Sequence, residues 1–471
     1  MTPRYQNRKE GMLAECKVKP EVFANWEDRL DEFVDPFALL LKHEKQEEYI
    51  DVYLAGLLSN IQRKNAESIA YEHDQSRQSL QHFIGQAEWD DAPLRGELAR
   101  QIALELGEAD GVLVFDPSGF PKKGQSSVGV ARQWCGRLGK VDNCQVGVYL
   151  AYVARSEHAL VDVRLYLPQD WAKDKQRRKK AGVPREIRFA TRHTLALQML
   201  DEHGAALLHR WIAGDDEMGR SSAFRRDLRE RQEQYVLMVP SNTTIRDLDA
   251  PAPEYGGRGR PPQQPFQRVD RWAAALPATA WTQCDVRDGT KGPLVVEVAR
   301  CRVLARTERG HPDAEETLLV FRAKQDDGTW KYDYALSNAA AETPLPEFAR
   351  VLKAEHRIEE CLQRAKSETG LGDYQVRNWR GWHHHQTLSL IAAWFITRET
   401  LRGKKIHTGL DRSTSPPSPG AAVGETTRRR HTHRRHPPHR APTPPQRAGR
   451  VLPLETTQPA TAFTGYTTAI A

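Results

Sequence analysis

The chain has no long apolar run. Over 471 residues, none of its hydrophobic stretches approaches the roughly 18–20 residues that a membrane-spanning helix needs. With 39% apolar and 28% charged residues, a soluble protein with no membrane partner is expected. Residues 1–10 contain no apolar segment of the kind that drives secretion, so no secretory signal is expected either. The six cysteines (Cys16, Cys135, Cys144, Cys284, Cys301 and Cys361) never fall in C-x-x-C spacing. That argues against a zinc ribbon or a disulfide framework and suits a reducing cytoplasm. Glycine-rich phosphate loops are missing, as are local signatures of Ser/His/Asp or Cys/His catalysis. Positive charge is also scarcer than the net +7 suggests. Between Arg402 and Arg450 lie 12 of the 69 Lys and Arg but only 2 of the 62 Asp and Glu, which leaves 57 basic against 60 acidic residues elsewhere. Any nucleic-acid contact must therefore be argued from local patches.

What is present is a sequence of composition changes. Residues 1–107 read as a helical N-terminal domain suited to DNA binding. Phe23, Trp26, Leu30, Phe33 and Phe37 recur at helical spacing, and so do Tyr49, Val52, Tyr53, Leu57 and Leu58. At Gly111 the pattern turns to strands. Val112-Leu-Val-Phe115 is a short apolar run, and 145–153, 159–167 and 235–239 follow as strand candidates, with helices near 194–208 and 222–233 between them. The economical fold is a mixed α/β sheet over 108–240. Residues 241–340 read as a β-rich insertion opening with a Pro/Gly/Arg-rich stretch (251–265), and 341–407 return to helix. Residues 408–471 are rich in Pro, Arg, His and Thr and are expected to be disordered.

Three acidic residues are hard to explain as decoration. Asp116 ends the run that begins at Gly111, where α/β sheets usually place active sites, although Pro117-Ser118-Gly119 also suits a turn. Asp215 ends Trp211-Ile-Ala-Gly214 in the same way, and its neighbours Asp216 and Glu217 are equally acceptable on local grounds. Glu359 borders a helical stripe of Val351, Ala354, Ile358, Leu362 and Ala365, and Lys366 follows almost two turns later on the glutamate's face. Two aspartates and a glutamate over one sheet are what two-metal phosphoryl transfer requires.

These residues resemble the DDE transposases of bacterial insertion sequences, in the branch whose third acid sits in a Tyr-x2-Arg-x3-Glu-x6-Lys signature. The similarity spans roughly residues 25–405. It is dense at 114–124, 129–147, 211–219, 358–366 and 374–382. The resemblance implies an RNase H-like fold with flanking helices and a β-rich insertion before the glutamate helix. It implies Asp116, Asp215 and Glu359 as catalytic, metal-holding acids, two Mg²⁺ ions for which Mn²⁺ can substitute, and Lys366 against a phosphate. The implied reaction is hydrolytic strand cleavage at the element's terminal inverted repeats, followed by attack of the freed 3′-hydroxyl on target DNA. A homodimer on DNA and a cytoplasmic, nucleoid-associated location go with it. The chain departs from the signature at Leu352 and Glu355, where tyrosine and arginine are expected, and at Met218, where tyrosine is common.

Other basic features fit DNA less sharply. Lys122 and Lys123 follow Asp116 closely. Lys173 to Lys180, with Arg177, Arg178, Lys179 and Lys180 at its end, reads as a phosphate-contact loop or a merely solvated one. Arg258-Gly-Arg260-Pro matches a minor-groove hook in miniature. Trp379 and Trp382 could stack on an unpaired base or belong to the core. His383, His384 and His385 point about 100° apart on a helix and suit no shared ion. Asp142 and Asp162 read as structural. The tail is either an altered reading frame or a DNA-attracting arm. The rivals to an active transposase are a catalytically inactive, element-derived DNA-binding protein or decayed copy and, less favoured, a non-transposing RNase H-like nuclease.

Overall fold

The computed structural model describes residues 24–289, 292–325 and 327–408. Phe23 and the tail from 409 lie outside the described residues, so the expectations placed on them go no further. Five helices come first: α1 (Trp26–Ala38), α2 (Glu44–Leu58), α3 (Ala66–Glu72), α4 (Arg77–Gly85) and α5 (Ala92–Leu106). Asn65 and Ser76 cap α3 and α4 by accepting backbone N–H groups. The expected apolar stripes are the buried ones, with Phe33, Phe37, Tyr53, Leu57 and Phe83 almost inaccessible, whereas Trp26 is exposed.

A 12-stranded sheet follows. Its first part comprises β1 (Val112–Pro121), β2 (Ala131–Cys135), β3 (Lys140–Val153) and β4 (His158–Leu165). Helices α6 (Gln169–Lys173), α7 (Lys175–Lys180) and α8 (Arg192–His203) lead into β5 (Trp211–Gly214). Then come α9 (Asp216–Arg220), α10 (Ser222–Glu230) and β6 (Gln234–Met238). β3 lies between β1 and β4, antiparallel to both, while β5 and β6 extend the sheet from the other edge of β1 in parallel. The order β4-β3-β1-β5-β6, an antiparallel meander followed by two parallel strands, is the RNase H-like arrangement expected.

One expectation needs correcting. Asp116 does not end its strand, because β1 runs on to Pro121 in continuous register with β3, Asp116 opposite Tyr149. The 14-residue β3 supplies a partner along that whole length. β5 stops at Gly214, so β1 past Phe115 has one strand neighbour on that side fewer, and Pro117 is tolerated on such an edge. The basic stretch read as a loop is likewise helical: Asp174 accepts the N–H groups of Gln176 and Arg177 and so caps α7.

The β-rich segment contains β7 (Thr244–Asp247), β8 (Gln267–Arg268), α11 (Val269–Ala274), β9 (Thr282–Gly289), β10 (Gly292–Arg306), β11 (Pro312–Lys324) and β12 (Trp330–Ser337). It continues the same sheet, since β12 pairs antiparallel with β6. A buried ion pair joins the two parts, Arg225 of α10 meeting Glu316 of β11 at 2.9 Å and Asp313 at 3.0 Å.

Two long helices close the unit, α12 (Leu345–Glu368) and α13 (Trp379–Thr408). All five stripe residues of α12 (Val351, Ala354, Ile358, Leu362, Ala365) are buried. The helix is stopped by Gly370 at φ +62, a left-handed position that favours glycine, with the Leu371 N–H returning to the Ala365 carbonyl. α13 is held by the N-terminal helices: Arg29 pairs with Glu399, Phe33 packs on Phe395 at 5.1 Å, and the Tyr53 hydroxyl meets His385 Nδ1 at 2.8 Å. Among the described residues no helix is long and apolar enough to cross a membrane.

Candidate active site

The sheet brings two of the acids together by register alone. β1 and β5 pair in parallel up to Phe115 opposite Gly214. Asp116 and Asp215 follow directly on that last pair, where the two strands run about 4.8 Å apart. The Asp215 side chain then caps α9, its Oδ1 accepting the Met218 N–H at 3.1 Å. α9 can lie this close to β6 because Gly219 has no side chain; a Cβ there would sit 2.0 Å from the Met238 carbonyl oxygen. α12 passes over the same end of the sheet.

Asp116, Asp215, Glu359 and Lys366 all line one open cavity of about 1270 Å³. Leu362 and Gln363 line it too, so one face of α12 from Glu359 to Lys366 forms a wall, as the seven-residue spacing predicted. Lys366 Nζ donates to Ser118 Oγ at 2.9 Å, and its pKa is lowered by burial, with the Asp116 charge acting against that. Glu359 sits at the rim with its side chain 60% exposed, and His356 Nδ1 approaches its Oε2 at 3.1 Å. Bonding to His356 holds the Glu359 carboxyl below its ordinary range.

The acids that compete with Asp215 on local grounds separate here. Asp216 pairs with Arg220 at 3.2 Å and Glu217 with Arg192 at 2.7 Å. Among the described residues Asp215 has no such cation, and its pKa is pushed up to about 7 by burial, then by the charges of Glu217, Asp216 and Glu355 against the helping Met218 N–H. Asp116 is pushed up to about 7 as well, by burial and then by Asp215 and Glu359, with Lys366 opposing. Carboxylates crowded this way favour a bound cation or a proton.

Sequence reasoning missed several residues here. Glu355, noted only as a departure from a signature, stands one turn before Glu359. Its carboxyl is pushed up to about 7 by burial and then by Glu359 and Asp116. The i, i+4 relation to Glu359 was the available signal. His356, three residues before Glu359 on the same helix, and Ser118, two residues after Asp116 on the same strand, were open to the same kind of reading, whereas Arg137, Arg192 and His193 carried no signal, because only the fold brings them to the site.

The other singled-out residues divide. Lys122 is packed over the Tyr374 ring at 3.4 Å, and burial pushes its pKa down to about 8. Arg178 is a strut whose guanidinium donates to the carbonyls of Ala172, Pro184 and Ile187. Arg177 lies over the Trp171 ring at 3.9 Å. Lys123, Lys179, Lys180, Arg258 and Arg260 are exposed, and none of these basic residues lines the acidic cavity. Trp382 is fully buried and cannot stack on a base in this structure, while Trp379 is half-buried and packs against the core. The three histidines are core residues: His383 Nδ1 meets the Trp379 carbonyl, His384 those of Ile84 and Trp89, and His385 Nε2 that of Gly370.

One further group of possible ligands occurs among the described residues: Asp162, Glu202 and His203 bring ligand atoms within 4.8 Å of one another. Asp162 is already matched by Arg95 at 2.7 Å and Arg164 at 3.0 Å, and His203 Nε2 lies 2.9 Å from its carboxylate. Two guanidiniums beside the carboxylate make it a poor cation site. The trio of Asp116, Asp215 and Glu359 does not close to that distance, Glu359 being turned toward His356.

A family model described as DDE superfamily endonuclease matches residues 36–293. The chain belongs to that family. Among curated proteins, this DDE-family chain is 30% identical over 132 residues to a probable transposase for insertion sequence element IS701 from Microchaete diplosiphon, a match covering 28% of this chain and 35% of that protein. The match thus spans about a third of the relative's length. Among solved structures, a cryo-EM structure of the piggyBac transposase synaptic complex with hairpin DNA aligns with 78% of this DDE-family chain and 71% of its own, with a TM-score of 0.36 and 11% identity.

Proposed function

We propose that the chain is a DNA transposase that cuts and joins the ends of an insertion sequence, with Asp116, Asp215 and Glu359 as its catalytic acids. One observation carries the reading: these three and Lys366 line a single cavity in which, among the described residues, neither aspartate forms an ion pair and burial beside other acids pushes the pKa of each up to about 7. Hard carboxylate oxygens crowded beyond what local cations neutralise fit divalent metal, Mg²⁺ or Mn²⁺. When bound, two such ions would supply charge neutralisation and Lewis-acid activation at the reacting phosphorus.

The chain's own residues do the positioning. The parallel pairing of β1 with β5 fixes the two aspartates side by side, and α12 carries the third acid across from them. Glu359 has to leave His356 to join them. Lys366, steered by Ser118, offers a fixed positive charge to a phosphate oxygen beside the acids. Water is the nucleophile for strand cleavage and the freed 3′-hydroxyl for joining. The match to a probable insertion-sequence transposase supports DNA ends as the substrate, and a homodimer on paired ends belongs to the same proposal. The exposed Lys123, Lys179, Lys180, Arg258 and Arg260 supply peripheral phosphate contacts.

The test uses DNA carrying the inverted repeats that flank the gene. Asp116→Asn, Asp215→Asn and Glu359→Gln should each abolish Mg²⁺-dependent strand cleavage while binding of that DNA persists. Wild-type protein that binds the repeats but never nicks them with Mg²⁺ or Mn²⁺ would support the inactive DNA-binding reading instead.

A further inference from the structure

The proposed reaction leaves one neighbouring feature without a role. β2 and the first part of β3 form a hairpin, paired from Ala131 opposite Cys144 to Cys135 opposite Lys140. Alternation along the strands puts Arg132 and Trp134 on one face, with Asn143 and Val141 opposite them. That face is open: Trp134 is 55% exposed, its cross-strand partner Val141 51%, and Leu138 in the turn 38%. Large apolar side chains exposed side by side call for an explanation, whereas single ones do not.

The hairpin is firmly seated and not a loose flap. On its other face Cys135 and Cys144 are buried with Val146. Gly119 of β1 lies against it so closely that a Cβ there would be 3.1 Å from Cys135 Sγ. As a result Trp134, Gly136 and Arg137 line the same cavity as Asp116, Asp215 and Glu359. The exposed rim carries Arg132, Arg137 and Lys140 at the surface, Lys140 paired with Asp142 at 3.1 Å, so its net charge is positive through the two arginines. Among the described residues Arg137 has no hydrogen bond or ion pair, and its charge reaches Lys366.

Resting on the function proposed above, we propose that this hairpin is a nucleotide-binding arm. Trp134 stacks on an unpaired base of the strand whose phosphate enters the cavity, and Arg132 and Arg137 hold the phosphates on either side of it. Duplex DNA keeps its base faces inside the stack, so an indole at the cavity wall can engage only a base that has left the helix or ends it. Charge complementarity selects the occupant: cations ring the aromatic patch, which suits a polyanion with flat apolar bases. A second copy of this chain is the competing occupant.

The experiment measures DNA binding by the full chain in EDTA, so that cleavage plays no part. Two short labelled duplexes of one sequence are compared, one fully paired and one with a single unpaired thymine. Wild type should prefer the second. Trp134→Ala should weaken binding to it about 10-fold or more, the usual scale for losing one aromatic stacking partner, and change binding to the paired duplex less than about 2-fold. Trp134→Phe, which keeps a ring, should retain most of the preference. Equal loss on both duplexes, or no loss, overturns the proposal. So does a DNA-free dimer that Trp134→Ala turns into monomer in sedimentation, which gives the face to a second copy. Because the readout needs no metal, it can fail while the catalytic assignment stands, and the reverse.

Discussion

Asp116 and Asp162 are both aspartates on strands of one sheet, and their surroundings treat them in opposite ways. Asp162, on β4, is fully buried and surrounded by Arg95, Arg164 and His203, which hold its carboxyl far below the ordinary range despite the opposing effect of burial. Asp116, on β1, is surrounded by other acids, and burial with Asp215 and Glu359 pushes it up to about 7. A carboxylate matched inside the fold has its charge spent on structure. One left unmatched beside two more is destabilised unless something from outside supplies the positive charge. The contrast separates a strut from a site, although Asp162 is the one with ligand atoms closest together.

The largest expected effect breaks the comparison in function. Asp116→Asn should remove Mg²⁺-dependent cleavage and leave the fold intact, whereas Asp162→Asn should leave cleavage per folded molecule near wild type. Stability should reverse the order. Urea unfolding of Asp162→Asn should show a loss of about 3 kcal/mol, because the buried Arg95 and the half-buried Arg164 lose their shared carboxylate and keep only Asp91 and Glu202. Lys366→Ala should come next, lowering cleavage roughly 10²-fold, the scale seen when one preorganised donor to a reacting oxyanion is lost, with smaller change in DNA affinity.

A pH series sharpens the same contrast. The folded pKa of Asp116, about 7, lies above its ordinary 3.8. The metal-free folded state therefore binds the proton more tightly than the unfolded chain, and stability from this group falls as pH rises from about 4 to about 7. Asp162 behaves oppositely: its contribution is present above the ordinary carboxylate pKa and is lost as pH falls below it. Thermal unfolding in EDTA should show wild type losing stability from pH 5 to pH 8, and Asp116→Asn should flatten that decline. The smallest effect concerns the periphery. Replacing Lys179 and Lys180 together by alanine should weaken DNA binding a few-fold at low salt and scarcely at high salt.

Much of the site was legible in the sequence because periodicity encodes it. The apolar runs before Asp116 and Asp215 mark the strands that carry the first and lead into the second, and the stripe of Val351 to Ala365 puts Glu359 and Lys366 on one helical wall. What chose Asp215 over Asp216 and Glu217 was the family resemblance, and the arginines that match those two neighbours come from α8 and α9. β1 outlasting Asp116 depends on the length of β3, which local pattern at Pro117 hides. Basic clusters are hard to read for a physical reason: Arg178 donates to backbone carbonyls and Lys122 packs on an aromatic ring, partners that only the fold supplies. The exposed pair Trp134 and Val141 is a cross-strand relation, invisible until β2 pairs with β3.

The central claim is that the unmatched acids, and not the matched ones, hold the metal. Mn²⁺ binding by the full chain, followed by electron paramagnetic resonance with the DNA ends present, tests it most directly. Asp116→Asn and Asp215→Asn should lose the bound ion, and His203→Ala should bind it as wild type does. Retention of Mn²⁺ by both aspartate variants, with its loss in His203→Ala, would contradict the account.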